Sequence, residues 1–132
     1  MTNRDSFSSL KLLLALDAAT CAAMGVLLLL GSVPIAGLTQ IPAGLLFWAG
    51  ASLIPIAAFM AISSRMMPVP GWAALLVVVG NLSWVAASIF LPAAGLIAPN
   101  SPGWAFLIGQ AGVVAILAKL EFDALRSRMI PA

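Results

Sequence analysis

Four long apolar stretches, separated by short polar or proline-containing segments, dominate the pattern of this chain. They cover about residues 10–30, 42–62, 72–91 and 102–125. Each stretch has about the 20 residues that an α-helix needs to cross the hydrocarbon core of a bilayer. The stretches lack the alternation of a membrane β-strand and are about twice as long as one. The pattern therefore predicts an all-α membrane protein, with four transmembrane helices and short terminal tails in a single transmembrane domain over residues 1–132.

Turn-forming and small residues predict how these helices end and pack. The Gly-Ser-Val-Pro segment at 31–34 predicts a turn after the first helix, and Pro55 predicts a kink in the second. Ser101 is the predicted N-cap of the fourth helix, with Pro102 as its first residue. A stripe of small residues on the first helix predicts a close helix–helix contact inside the bundle, or alternatively a dimer face; it comprises Ala15, Ala18, Ala22 and Gly25.

The basic residues predict the orientation in the membrane. The segments 31–41 and 92–101 carry no charge, whereas every Lys and Arg falls at the opposite helix ends: Arg4, Lys11, Arg65, Lys119, Arg126 and Arg128. Cytoplasmic loops of membrane proteins carry an excess of Lys and Arg. We therefore expect an up-down bundle with both termini on the cytoplasmic side (N-in/C-in), in the inner membrane of a bacterial cell.

Composition excludes several classes of function. Hydrophobic residues make up 63% of the chain and charged residues 8%, too few charges for a soluble surface. The chain has no His and one Cys, so His-ligated metal or haem sites and Ser-His-Asp or Cys-His catalysis are excluded. Six dispersed basic residues do not form a nucleic-acid-binding surface. We expect no cofactor, no metal and no enzymatic activity.

Asp17 is the first candidate for a functional site. It lies seven residues past Leu10, or about 10 Å into the first apolar stretch. A charged group at that depth costs about 2–3 kcal/mol, so it should face the bundle and have a partner, or hold a proton. Lys119 of the fourth helix is a candidate counter-charge for Asp17, with Asn81 or a backbone carbonyl as substitute partners. The alternative is that Lys119 extends to the headgroups instead.

Uncharged polar residues on the third and fourth helices complete the candidate site. Asn81, Trp84 and Ser88 share one face of the third helix at spacings of three and four, and Gln110 lies in the fourth helix. Glu121 shares the face of Gln110, although it falls in the charged end of that helix, which we expect to extend into the cytoplasm. Such residues commonly form interhelical hydrogen bonds that hold a bundle together. The alternative is a polar path for a proton or ligand, with Asp17 at one end.

These residues resemble those of an uncharacterised family of small bacterial membrane proteins with four helices. The resemblance rests on short motifs in the first, third and fourth helices, and it implies the same fold but no particular activity. A looser architectural similarity exists to small multidrug transporters, which have a first-helix Glu and tyrosines in their pocket, whereas this chain has Asp17 and no Tyr. The matching residues are Leu16-Asp17-Ala18, Gly25, Asn81, Trp84, Ser88, Gly103, Ala105, Gln110 and Ala111.

The sequence favours a membrane protein without enzymatic activity, acting as an accessory or interaction subunit or as a self-associating bundle. Its expected partners are the lipid bilayer and either further copies of itself or a larger membrane complex, and not a nucleic acid. The alternative is a proton-coupled transporter or a binder of a lipophilic ligand that uses Asp17.

Overall fold

The fold is all-α over the part of the chain that the structure, a computed structural model, describes. This part comprises the backbone of residues 3–129 and the side chains of residues 9–127. It forms four helices and no β-strand: α1 (Asn3–Thr39), α2 (Ala43–Ser64), α3 (Gly71–Ala93) and α4 (Ser101–Met129). Each helix is long and apolar enough to cross a membrane. The prediction of an all-helical chain with four candidate membrane spans is therefore confirmed.

Helix α1 is longer than its apolar pattern predicts. It passes through Pro34, so the predicted turn at 31–34 is not formed. A backbone group in an apolar environment needs an internal partner, and a continuous helix supplies one, whereas an early turn would leave several groups unpaired. The helix ends at Thr39, because Gln40 adopts the left-handed conformation (φ 58°). The Gln40 N–H still donates to the carbonyl of Ala36, at 2.8 Å.

Helix α4 begins under an asparagine cap instead of the predicted serine cap. Asn100 Oδ1 accepts a hydrogen bond from the N–H of Gly103 at 2.9 Å, so the cap lies one residue before Ser101. The same side chain donates through Nδ2 to the carbonyl of Leu38 at 2.9 Å. Its backbone N–H donates to the carbonyl of Thr39 at 3.1 Å. Asn100 therefore starts α4 and ties it to the end of α1.

The closest helix–helix contact joins α1 and α2 at two glycines. A Cβ atom added to Gly50 would lie 2.9 Å from the Gly25 carbonyl oxygen and 2.8 Å from Leu28 Cβ, so a larger residue would force the helices apart. The small-residue stripe on α1 thus serves an internal contact at Gly25 and at the buried Ala18, while Ala15 stays exposed. Close backbone approach of this kind stabilises helix pairs in lipid.

The four helices do not all pack closely against their neighbours. Helix α1 packs along α2 and α4, and α4 packs along α3, whereas α2 and α3 scarcely touch. One contact between α2 and α3 is a tilted pair of aromatic rings, Phe59 and Trp72, whose centroids lie 6.1 Å apart. The bundle is therefore open along its α2–α3 side, where Asp17 and Asn81 line a cavity.

Candidate functional site

Two carboxyl groups and one amide, each from a different helix, meet in the interior. Asp17 of α1, Asn81 of α3 and Glu121 of α4 are 1%, 6% and 0% exposed, respectively. Asn81 Nδ2 donates to Asp17 Oδ2 at 2.7 Å and to Glu121 Oε1 at 2.9 Å. We call these three residues the acid cluster. A single amide group thus bridges two buried acids.

The acid cluster has more hydrogen-bond acceptors than donors. Glu121 Oε2 is buried and has no donor among the described residues, while Glu121 Oε1 shares the Asn81 amide with Asp17. Cys21 Sγ approaches Asp17 Oδ1 at 3.5 Å, which is a weak contact. Two carboxylate oxygens cannot hydrogen-bond to each other unless one carries a proton. One proton held between Asp17 and Glu121 would satisfy Oε2 and remove the repulsion between two buried charges.

Lys119 does not pair with Asp17, contrary to the expectation from the sequence. Its Nζ lies 3.0 Å from Asp123 Oδ2, one turn along α4, and the two side chains are 76% and 52% exposed. Residues two apart on a helix point in nearly opposite directions, so Lys119 faces outward where Glu121 faces inward. Lys119 therefore lies at the exposed surface of α4, as the alternative prediction has it. The interhelical partner of Asp17 is Asn81.

The other predicted polar residues form a second group, which we call the amide cluster. Gln110 Oε1 accepts from Trp84 Nε1 at 2.7 Å. Gln110 Nε2 donates to Ser88 Oγ at 2.8 Å and to the Leu107 carbonyl at 3.0 Å. Ser88 Oγ donates in turn to the Trp84 carbonyl at 2.8 Å. The amide cluster joins α3 to α4, as interhelical hydrogen bonds are expected to do.

An apolar cavity of about 500 Å³ lies beside the acid cluster and is bordered by all four helices. Asp17 and Asn81 line one part of its wall, and Trp84 and Gln110 line another. A second cavity of about 350 Å³ shares Met24, Trp84 and Gln110 with the first and continues along α2 and α3. The remaining wall of the larger cavity comprises Thr20, Cys21, Met24, Leu53, Pro55, Ile56, Phe59, Met60, Leu76, Val77, Gly80, Val113 and Val114.

Glu121 is a candidate site residue that the sequence reasoning placed on the face of Gln110 but in a solvated extension of α4, whereas the structure buries it. A signal for its burial exists in the spacing. Ala118 follows Ala111 by seven residues, Glu121 follows Ala118 by three, and Leu125 follows Glu121 by four, which places all of them on one helix face. The structure buries each of these residues.

Comparisons with known proteins suggest no function for this chain, so a function is proposed from the geometry of the site. No protein-family model, no curated protein and no solved structure matches this chain. The resemblance to small four-helix bacterial membrane proteins therefore stays a prediction. Among the described residues, no group of three or more His, Cys, Asp or Glu side chains is arranged to hold a metal ion.

Proposed function

We propose that this chain is a multi-pass membrane protein that binds a lipophilic ligand in the larger cavity and couples binding to proton exchange at Asp17 and Glu121. The observation that carries the proposal is the position of the two buried acids beside an apolar cavity. Bringing two acids together inside a membrane protein is costly, and ionisable residues at such depth commonly mark ligand or proton pathways. A purely structural contact between α1, α3 and α4 would need only neutral polar groups.

The cavity supports the proposal by its size and its lining. Ligand sites typically enclose about 300–1,000 Å³ and have apolar walls with a few polar groups that fix orientation. This cavity encloses about 500 Å³, and its polar wall groups include Asp17, Asn81 and Gln110. A ligand there would contact side chains from all four helices, so its binding would stabilise the bundle.

The proposal includes an orientation. We propose an up-down bundle with both termini in the cytoplasm of a bacterial cell, on the basis of the uncharged segments at 31–41 and 92–101. The side chains of Arg4 and Arg128, on which this orientation also rests, lie outside the described residues. A reporter fused after Ala132 should be active only in the cytoplasm, and one inserted at Ala98 only outside. The reverse pattern would contradict the orientation.

Ligand-dependent stabilisation tests the proposed function. The purified protein in lipid nanodiscs would be heated in the presence of lipophilic cations, anions and neutral compounds in weakly buffered solution. At least one class should raise the melting temperature and change the solution pH, because a bound ligand stabilises the folded state and alters the acid cluster. Asp17→Asn should lose the pH change, whereas Asp123→Asn, at an exposed acid on α4, should keep it. Stabilisation by no compound would contradict the proposal.

An accessory or self-associating role is the second candidate, because one groove on the outside of the bundle suits another helix. Except for Ile54 and Arg65, the side chains that line this groove between α1 and α2 are Ala or Ser, and they leave room for a second backbone to approach closely. Under this proposal the chain has no enzymatic activity, and its partner is a second copy or another membrane protein. Native mass spectrometry from mild detergent should then show a complex, and monomers alone would contradict it. The groove comprises Ala15, Ala18, Ala19, Ala22, Ile54, Ala57, Ala58, Ala61, Ser64 and Arg65.

A further inference from the structure

We infer that the ligand is a lipophilic monocation that reaches the cavity from the bilayer between α2 and α3 and replaces one proton at Asp17 and Glu121. This inference rests on the proposed function and specifies its ligand class, its route and its stoichiometry. The acidic cavity wall and its aromatic residues favour a lipophilic cation. The open α2–α3 side gives that cation a route from the lipid.

The ionisable groups around the cavity are acidic or neutral. Among the described side chains, no Lys or Arg lines the cavity, while Asp17 does, and Glu121 shares the Asn81 amide with Asp17. Helices α2 and α3 contain no titratable residue between 43 and 64 or between 71 and 93. Within residues 9–127, the further titratable group that contacts the acids is Cys21 of α1. An anion in this cavity would meet negative charge without a counter-charge. A cation would meet its complement.

Two aromatic residues border the same space from opposite helices. Phe59 of α2 and Trp84 of α3 both line the cavity, and the Trp84 indole is held by its hydrogen bond to Gln110. Aromatic rings attract cations through their negative faces, and this attraction strengthens when water is excluded. The rest of the wall is mainly aliphatic, which suits the apolar part of a lipophilic cation and does not suit a hydrated metal ion.

The open α2–α3 side gives such a ligand a route from the lipid. Ile56 and Leu76, one on each helix, line the cavity and are also 40% and 54% exposed at the surface of the bundle. Gly80 of α3 lies on the same wall, and a Cβ atom added there would have no other atom within 4 Å. Gly80 is thus exposed, lines the cavity and has open space beside it, so the route that we infer passes here.

The exchange of a cation for a proton conserves charge at the site. Two carboxyl groups that share one proton carry a net charge of about −1. When the monocation binds, the shared proton leaves for water, and the two carboxylates together with the cation again carry a net charge of about −1. A neutral ligand cannot replace the proton in this way, because its binding would leave two adjacent carboxylates without compensation.

Three probes of similar shape and different charge test the inference. Tetraphenylphosphonium, tetraphenylborate and triphenylphosphine oxide would be titrated into the protein in phosphatidylcholine nanodiscs, with empty nanodiscs subtracted. Calorimetry in two buffers of different ionisation enthalpy counts the protons released. We expect binding of tetraphenylphosphonium with release of about one proton, at least about tenfold weaker binding of the neutral probe, and no binding of the borate.

Matched variants test the site and the route separately. Asp17→Asn should abolish proton release and weaken tetraphenylphosphonium binding about tenfold or more, while Asp123→Asn should leave both unchanged. Gly80→Phe should fill the α2–α3 gap and slow association at least about tenfold without changing the acids. Gly112→Phe is its control, because Gly112 also has open space for a side chain and does not line the cavity.

The possible results distinguish failure of the cation inference from failure of the proposed function. Equal binding of the neutral and cationic probes, without proton release, would overturn the cation inference and leave lipophilic binding in place. Binding of the borate in preference to the phosphonium would also overturn it. No binding of any probe would contradict the inference and the proposed function together. The comparison of probes on the unmodified protein does not depend on whether any variant folds.

Discussion

The acid cluster and the amide cluster are both buried polar groups between helices, yet their hydrogen-bond balance differs. In the amide cluster each donor meets an acceptor: Trp84 donates to Gln110, Gln110 donates to Ser88, and Ser88 donates to a backbone carbonyl. In the acid cluster the four oxygens of Asp17 and Glu121 meet one amide group and a distant thiol. The first group is complete with neutral side chains, whereas the second leaves Glu121 Oε2 without a donor among the described residues.

This difference separates a structural contact from a candidate functional site. A balanced neutral network stabilises a helix pair and gains nothing from a change of protonation. An unbalanced pair of acids can release or accept a proton when a ligand changes the local charge. The two clusters lie along the same open α2–α3 side, and Trp84 and Gln110 border both cavities there. The amide cluster would then hold α3 against α4 while the acids carry the exchange.

The largest effect on stability is expected when the bridging amide is removed. Asn81→Leu deletes the donor to both Asp17 and Glu121, and leaves two acids buried without it. We expect a loss of about 3 kcal/mol in the free energy of unfolding, because unpaired buried charged groups are strongly destabilising. Unfolding in mixed micelles of increasing denaturing detergent measures this. If Asn81→Leu reduced the free energy of unfolding no more than Gln110→Leu does, the proposed difference between the acid cluster and the amide cluster would be contradicted.

A smaller effect is expected in the amide cluster. Gln110→Leu leaves the Trp84 indole N–H without its acceptor but removes no charge. The expected loss is about 1–2 kcal/mol by the same measurement, as for interhelical hydrogen bonds between neutral groups. This loss should be the same at acidic and neutral pH, since no group of the cluster titrates there. A loss that changed strongly with pH would show that the amide cluster is coupled to the acids.

The smallest effect on stability is expected from Asp17→Asn. The new amide can accept from Asn81 and donate to Glu121 Oε2, which lacks a donor at present. The free energy of unfolding should therefore change by less than about 1 kcal/mol, while Asp17→Ala should lose about 2 kcal/mol by leaving Asn81 half-paired. The two variants would be compared in the same detergent series. A large loss in Asp17→Asn would indicate that the carboxylate charge itself holds the bundle together.

The helices could be predicted from the sequence because membrane-spanning length and apolar content are strong signals. Their ends could not, since Pro34 suggests a break, although a continuous helix satisfies more backbone groups. For the site, helical spacing grouped Asn81 with Trp84 and Ser88 on one face of α3, but it did not show that the structure buries Asn81 against two acids. The candidate pair of Asp17 and Lys119 does not form, because Lys119 lies on the outward face of α4 and its amino group contacts Asp123. The burial of Glu121 was not predicted, because the charged residues that follow it suggested a solvated tail.

The cavity and the opening between α2 and α3 were beyond prediction from the sequence. Both arise from how the helices pack, with α1 and α2 brought together at Gly25 and Gly50 while α2 and α3 stay apart. Sequence spacing shows which residues share a face of one helix, but it does not show which pair of helices leaves a gap. The position of Asp17 beside that gap is therefore a finding of the structure.

The central claim is that Asp17 and Glu121 share a proton that a bound cation displaces, and infrared spectroscopy tests it most directly. The protein would carry ¹³C-labelled Asp and Glu carboxyl groups in nanodiscs at neutral pH. We predict a protonated-carboxyl band that disappears when tetraphenylphosphonium is added, persists in Asp123→Asn, and is absent from the double variant Asp17→Asn with Glu121→Gln. Absence of the band from the unmodified protein, or its persistence after the cation has bound, would contradict the claim.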